Sequence, residues 1–188
     1  LQTKDLIDGL SQGKKYFIPN NKAIEFGEKE LPIPPYVLGV MLGDGCLTIW
    51  RNEKGFKISN TEWDIINKVA KLTDTTRVYE QPSCVTKLFY TPHYKEYKEY
   101  LREKCLLDYS YNKFIPEEYL HSSIEQRKQL LAGLFDTDGS VEPYDNSYSF
   151  STTSERLKDT FIELCRSLGY TCSCREDRRD NKYTKGVA

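Results

Sequence analysis

The chain has 188 residues, 38% hydrophobic and 29% charged, with a formal net charge of −1 at pH 7. That length and balance fit a soluble globular protein of one domain or two small ones with a sizeable core, and any basic surface must be local. No apolar run approaches 18 residues and no signal peptide is visible, so the sequence argues against secretion and membrane contact and for a cytoplasmic location. Six cysteines (Cys46, Cys84, Cys105, Cys165, Cys172, Cys174) lack paired C-x-x-C spacing. They read as reduced thiols rather than a zinc site. The 14 tyrosines suit pleated strands that both pack and touch sugar or base.

In chain order, Thr3 to Leu10 predicts a short helix and Tyr16 to Ile18 a short strand. Pro32, Pro34 and Pro35 break regular structure and lead into an apolar helix, Tyr36 to Gly45. Alternation predicts a hairpin of Cys46–Arg51 with Phe56–Asn60. A helix over 62–73 follows, capped by Thr61 with Asp64, with Trp63, Ile66, Val69, Ala70 and Leu72 on its apolar stripe. Thr76–Gln81 and Lys87–Thr91 predict a second hairpin, and His93 to Cys105 a charged, tyrosine-rich helix. Asn112 to Pro116 is an extended link. Ser122 with Glu125 caps a helix that runs to Gly139. The order then restarts with a hairpin (Ser140–Glu142, Ser147–Ser151), a helix over 154–168 stopped by Gly169, and a strand over Tyr170–Arg175.

Two of these helices end alike. Tyr36-Val37-Leu38-Gly39-Val40-Met41-Leu42-Gly43-Asp44-Gly45 is a weaker copy of Leu130-Leu131-Ala132-Gly133-Leu134-Phe135-Asp136-Thr137-Asp138-Gly139. A carboxylate in the last helical turn meets the partial negative charge of the helix end. A glycine after it suits a left-handed helix stop. An Asp capping its own turn is one explanation; two copies with one ending invite another. Gly39 with Gly43, and Gly133 with Thr137, are four apart and share a helix face. Small residues at that spacing let two backbones approach closely. Helices packed on those stripes bring Asp44 and Asp138 together, and a hard divalent cation would relieve their repulsion. The Asp residues lie 94 apart, and Ile58-Ser59-Asn60-Thr61 matches Phe150-Ser151-Thr152-Thr153 at an offset of 92. The chain therefore reads as an internal repeat whose second unit is expected to be truncated at Ala188.

The Leu131–Gly139 stretch resembles the LAGLIDADG motif, and Val37–Gly45 resembles the degenerate first motif of two-motif, single-chain members. Lys113-Phe114-Ile115-Pro116, followed by Glu125 to Gly139, is similar to the run before the second motif in intein-borne homing endonucleases. Thr3-Lys4-Asp5-Leu6 and Tyr16 to Phe26 resemble a junction with a splicing module. The resemblance divides the chain into 1–30 (junction), 31–125 (first repeat) and 126–188 (second repeat, truncated).

It implies an α+β (mixed α/β) fold with a pseudo-two-fold axis. Two packed helices lie at its centre, and two antiparallel sheets form a saddle over double-stranded DNA. It implies Mg²⁺- or Mn²⁺-dependent phosphodiester hydrolysis, with Asp44 and Asp138 catalytic and metal-binding, Gly43 and Thr137 beside them at the metal, and Lys113 as a catalytic base or charge stabiliser. Leu42 replaces the first acidic residue of motif one; Asp136 keeps it in motif two. Asn60 and Thr152 fall where polar residues surround the active-site water, although helix entry and capping explain both equally well. DNA contacts are expected from Arg51, Lys54, Lys57, Arg77, Tyr79, Lys87, Arg175 and Arg178, each also readable as plain surface.

The partners implied are double-stranded DNA and a covalently attached splicing module, with the chain itself a monomer. A LAGLIDADG protein that binds nucleic acid without cutting, maturase-like or decayed, is the rival reading. Splicing by this chain alone is not expected: it shows no N-terminal Cys or Ser nucleophile, no Thr-x-x-His block and no C-terminal His-Asn.

Overall fold

A computed structural model describes residues 2–17, 21–48, 55–80, 84–142 and 147–176. The amphipathic helix α1 (Thr3–Ser11) is peripheral, with Ile7 and Leu10 exposed. Residues 21–30 run extended along the later helices: Ile24 N donates to the Ser167 carbonyl (2.8 Å), and Gln126 makes two hydrogen bonds with the Lys29 backbone. Tyr16 and Phe17 form no strand; Ile18 lies outside the described residues.

Helix α2 (Pro35–Gly43) starts with Pro at its first turn, where no N–H is needed. Every residue from Pro35 to Leu42 is buried, and a helix apolar all round belongs in the middle of a fold. Strand β1 (Phe56–Ser59) alternates buried and half-buried residues. Helix α3 (Trp63–Leu72) buries Ile65, Ile66 and Val69. Trp63 and Leu72, expected in the core, are 52% and 40% exposed, because the buried arc is centred on Ile65 and Ile66. Its entry is held by Asn60, whose Oδ1 accepts from Glu62 N (2.6 Å), in place of the expected Thr61–Asp64 cap.

Strands β2 (Arg77–Glu80) and β3 (Thr86–Tyr90) form the expected antiparallel pair. Of the expected hairpin before them, residues 49–54 lie outside the described residues. The described part pairs antiparallel at a single bridge, Gly45 to Ile58, flanked by Cys46 N donating to the Lys57 carbonyl (3.1 Å), while Cys46–Thr48 form no strand; β1 also lies against β3, giving the order β1-β3-β2. Stacked Phe56 and Phe89 rings, 5.0 Å apart, anchor that pairing in the core.

Helix α4 (Tyr94–Glu103) buries Tyr94, Tyr97, Tyr100 and Leu101. After a 3-10 turn at Ser110–Asn112 and an extended link comes a short helix, α5 (Glu117–Leu120), not anticipated from sequence. Helix α6 (Ile124–Asp138) opens on a reciprocal capping box between Ser123 and Gln126, one residue later than expected. Ser122 turns its hydroxyl back to the Tyr119 carbonyl. Strands β4 (Gly139–Val141) and β5 (Tyr148–Phe150) pair antiparallel. Helix α7 (Glu155–Ser167), capped by Ser154, packs Phe161 on Phe150 with ring centroids 4.1 Å apart. Gly169 ends it at a φ of 86°; residues 170–176 form no strand.

The architecture is thus mixed α+β, with two small antiparallel sheets and seven α-helices among the described residues, as the LAGLIDADG resemblance implies. No helix is long and apolar enough to cross a membrane among these residues. Helices α2 and α6 pack directly on each other at the centre. The buried side chain of Arg127 ties α6 to its surroundings, donating to the Ser122, Ser167 and Ile24 carbonyls and to Ser167 Oγ.

Candidate active site at the ends of the central helices

The approach of α2 to α6 is backbone against backbone. A Cβ added at Gly39 would meet Gly133 Cα at 3.0 Å and Leu134 N at 2.9 Å, and would overlap the Leu130 carbonyl. One at Gly133 would meet Val40 N at 3.0 Å and Gly39 Cα at 3.1 Å, and would overlap the Tyr36 carbonyl. One turn further on, Gly43 faces Thr137, and a Gly43 Cβ would come within 3.2 Å of Asp138 Oδ2. The two acids therefore leave the same end of the helix pair. Thr137 directs its hydroxyl to the Gly133 and Leu134 carbonyls of its own helix, so it contributes spacing there.

Gly45 and Gly139 do not adopt the left-handed stop expected of them; the positive-φ glycines of the described residues are Gly13 and Gly169. Steric crowding explains them. A Cβ on Gly45 would strike Met41, and one on Gly139 would strike Phe135. The chain turns sharply out of each helix into sheet, and Ser59 N and Ser151 N donate to the Asp44 and Asp138 carbonyls.

Asp44 is half-buried, and Asn60 Nδ2 donates to its Oδ2 at 2.7 Å. Burial lifts its carboxyl above the ordinary carboxylate range, against the opposing pull of Asn60 and Lys113. Asp138 is more open to solvent. Desolvation by surrounding atoms raises its carboxyl, the Asp44 charge adds to that, and Lys113 opposes both.

Lys113 is 6% exposed. Its ammonium donates to the Gly43 (3.0 Å), Gly45 (3.1 Å) and Met41 (3.5 Å) carbonyls. It thus neutralises the negative end of α2 beside the acids. Its own carbonyl accepts from Ser154 Oγ, tying the link to α7. Burial lowers its pKa, while Asp138, Asp44 and Cys46 hold the proton on.

Asp136 turns away from this cluster. It accepts from Tyr36 Oη at 2.6 Å, and Lys68 Nζ lies 3.9 Å from it and 3.4 Å above the Tyr36 ring. This clasp between α2, α3 and α6 has no signal in local sequence, since Tyr36 and Asp136 are 100 residues apart.

The donor set suits a hard cation. Two carboxylates converge on a side left clear by a glycine, and each is raised by burial that one ammonium does not offset. No group of three or more His, Cys, Asp or Glu clusters for a metal among the described residues. Two carboxylates with the remaining positions left to water and phosphate are what Mg²⁺ tolerates and zinc does not.

Cross-strand neighbours share a sheet face. Lys57 lies opposite Leu88, which lies opposite Tyr79, while Arg77 pairs with Tyr90 and Ser59 with Thr86. These seven occupy the face away from Phe56 and Phe89. Ser59 and Thr86 hydroxyls are 2.9 Å apart on it, and the Arg77 guanidinium lies 5.8 Å from the Tyr79 ring. Lys87 is on the other face: register sets it opposite Ile58, it is 3% exposed, and it pairs with Glu80. Its position near a turn suggested an outward side chain; the pairing of β3 with β1 turns it inward. Thr152 Oγ1 accepts from Ser154 N (3.1 Å), and Arg175 is exposed. Arg51, Lys54 and Arg178 lie outside the described residues.

The family model of a LAGLIDADG-like domain matches residues 125–187. The chain is also 33% identical over 164 residues to a replicative DNA helicase DnaB of Mycobacterium intracellulare; the match takes in 87% of this chain and 24% of that protein. The chain spans about a quarter of that relative's length. Together with two central helices that end in Asp44 and Asp138, the domain match over residues 125–187 supports the LAGLIDADG family and, with it, a homing endonuclease or a related nucleic-acid binder.

Proposed function

We propose that the chain is a site-specific homing endonuclease, the nuclease part of an intein, which hydrolyses both strands of a long double-stranded DNA site with Mg²⁺ or Mn²⁺. The observation that carries this reading is the convergence of Asp44 and Asp138 at one end of a glycine-spaced helix pair. The division into residues 1–30, 31–125 and 126–188, a monomeric state and a splicing module in the longer protein belong to the same proposal. The match to part of a DnaB helicase supports an insertion in such a host.

In this reading Asp44 and Asp138 would each anchor a divalent cation, one per strand, which would supply charge stabilisation at the phosphate and the leaving oxygen. Lys113, fixed by three carbonyls, keeps positive charge beside the reacting phosphate. The outer sheet face carrying Lys57, Arg77 and Tyr79 lies along the duplex, with Asn60 and Thr152 nearer the scissile bonds. One observation favours the non-cleaving alternative: the Lys113 ammonium is already engaged by backbone, as a purely structural lysine would be.

The deciding experiment incubates the protein with a supercoiled plasmid. The plasmid carries a DnaB coding sequence from which the whole insertion, splicing module included, has been removed to leave the empty insertion site. Cleavage with Mg²⁺, none with EDTA, and its loss in Asp44→Asn and Asp138→Asn are expected. Tight binding without cleavage in Mg²⁺ would establish the alternative, and full cleavage by both Asn variants would remove the proposed metal site.

A further inference from the structure

The two halves of the candidate site match in sequence but not in support. Position 60 of the first repeat corresponds to position 152 of the second, and the residues there are Asn and Thr. Asn60 is doubly committed. Its Oδ1 accepts from Glu62 N at 2.6 Å, which leaves Nδ2 as the group facing Asp44, and Nδ2 donates to Asp44 Oδ2 at 2.7 Å. The helix entry therefore dictates which way the amide points, and the amide holds one carboxylate oxygen in place. Among the described residues no side chain donates to the other Asp44 oxygen.

In the second half Thr152 uses its hydroxyl to accept from Ser154 N at the entry to α7. It has no amide with which to reach onward. Among the described residues no side chain donates a hydrogen bond to the Asp138 carboxylate, which also stands more open to water. Lys113 donates to neither acid: its ammonium binds carbonyls at the end of α2, and its charge acts on both carboxylates, on Asp138 more than on Asp44.

We propose that Asn60 is a positioning residue that presets Asp44, with no counterpart for Asp138, so that the half-sites bind metal unequally and the strand served by Asp44 is cut first. This rests on the endonuclease reading for its strand order, but the unequal metal binding does not. A typical net hydrogen bond is worth roughly a five- to tenfold preference, and one to a charged group at least that much.

Asn60→Ser separates the roles of Asn60: a serine keeps an oxygen for Glu62 N and is too short to reach Asp44. Thr152→Asn supplies the missing donor to Asp138. Mn²⁺ binding to the free protein, followed by electron paramagnetic resonance, should show two affinities roughly five- to tenfold apart. They should converge in Asn60→Ser and in Thr152→Asn, with the circular dichroism of Asn60→Ser unchanged. On an end-labelled duplex, nicked DNA should accumulate in one strand first, and Asp44→Asn should abolish that nick. Asn60→Ser should lose the strand order.

Equal Mn²⁺ affinities in the unsubstituted protein, or unequal ones that Asn60→Ser leaves untouched, would overturn the proposal. Unequal sites with no cleavage would uphold the Asn60 role while sinking the endonuclease reading. Simultaneous cutting of both strands would sink the strand order alone.

Discussion

Gly133→Ala is the sharpest test of the central interface. The added methyl overlaps the Tyr36 carbonyl and comes to 3.0 Å from Val40 N and 3.1 Å from Gly39 Cα. All three are backbone atoms of α2, so no side chain can swing aside, and relief requires the helices to move apart. Overfilling a packed site costs about 1–3 kcal/mol, and the rigidity of these neighbours places this case at the upper end. Alanine returns about 1 kcal/mol through its better helix propensity. A net loss of about 2 kcal/mol follows, or about 1 M in the urea midpoint at an unchanged slope. Gly27→Ala is the control: its Cβ meets nothing within 4 Å, and the change should stay within about 0.5 kcal/mol. Equal midpoints for Gly133→Ala and the unsubstituted protein would refute the close backbone contact. Because the same movement parts Asp44 from Asp138, Gly133→Ala should also weaken Mn²⁺ binding.

Asp138→Asn should raise the melting temperature at neutral pH in the absence of divalent metal, because it removes a charge that crowding and Asp44 both disfavour. Both carboxyls are raised in the folded state, so the native protein holds protons that the unfolded chain has lost. The stability they contribute is present below the ordinary carboxylate pKa and is lost as pH rises through their folded values. Thermal melts from pH 4 to 8 should show that decline shrink in Asp138→Asn; a lower melting temperature in the variant at neutral pH would contradict this. In DNA binding, Lys57→Gln and Arg77→Gln should each lower the slope of log K against log salt by about 1. Lys87→Met should leave it unchanged, since Lys87 is on the buried face. A slope change for Lys87→Met equal to that for Lys57→Gln would show that the assigned sheet face is wrong.

The sequence by itself determined the features whose cause is local or periodic. The apolar run after Pro35, the capped start near Ser123 and the stripe of α7 each specify a helix within one or two residues of its observed bounds. The stripes Gly39–Gly43 and Gly133–Thr137 foretold a close helix pair, because only small side chains at that spacing permit it. Tertiary structure alone decided what depends on partners far along the chain. Strand β1 pairs with β3, 27 to 33 residues further on, and that register turns Lys87 inward although its own alternation is ambiguous. Asp136 is claimed by Tyr36 and Lys68, and the buried Arg127 gathers carbonyls from three separate segments. Asn60 reads locally as a helix entry, and it is one; only the fold brings its second hydrogen-bonding group to Asp44. A local pattern fixes how a residue's own backbone is satisfied, whereas a side chain's remaining donors and acceptors find their partners when the chain closes on itself.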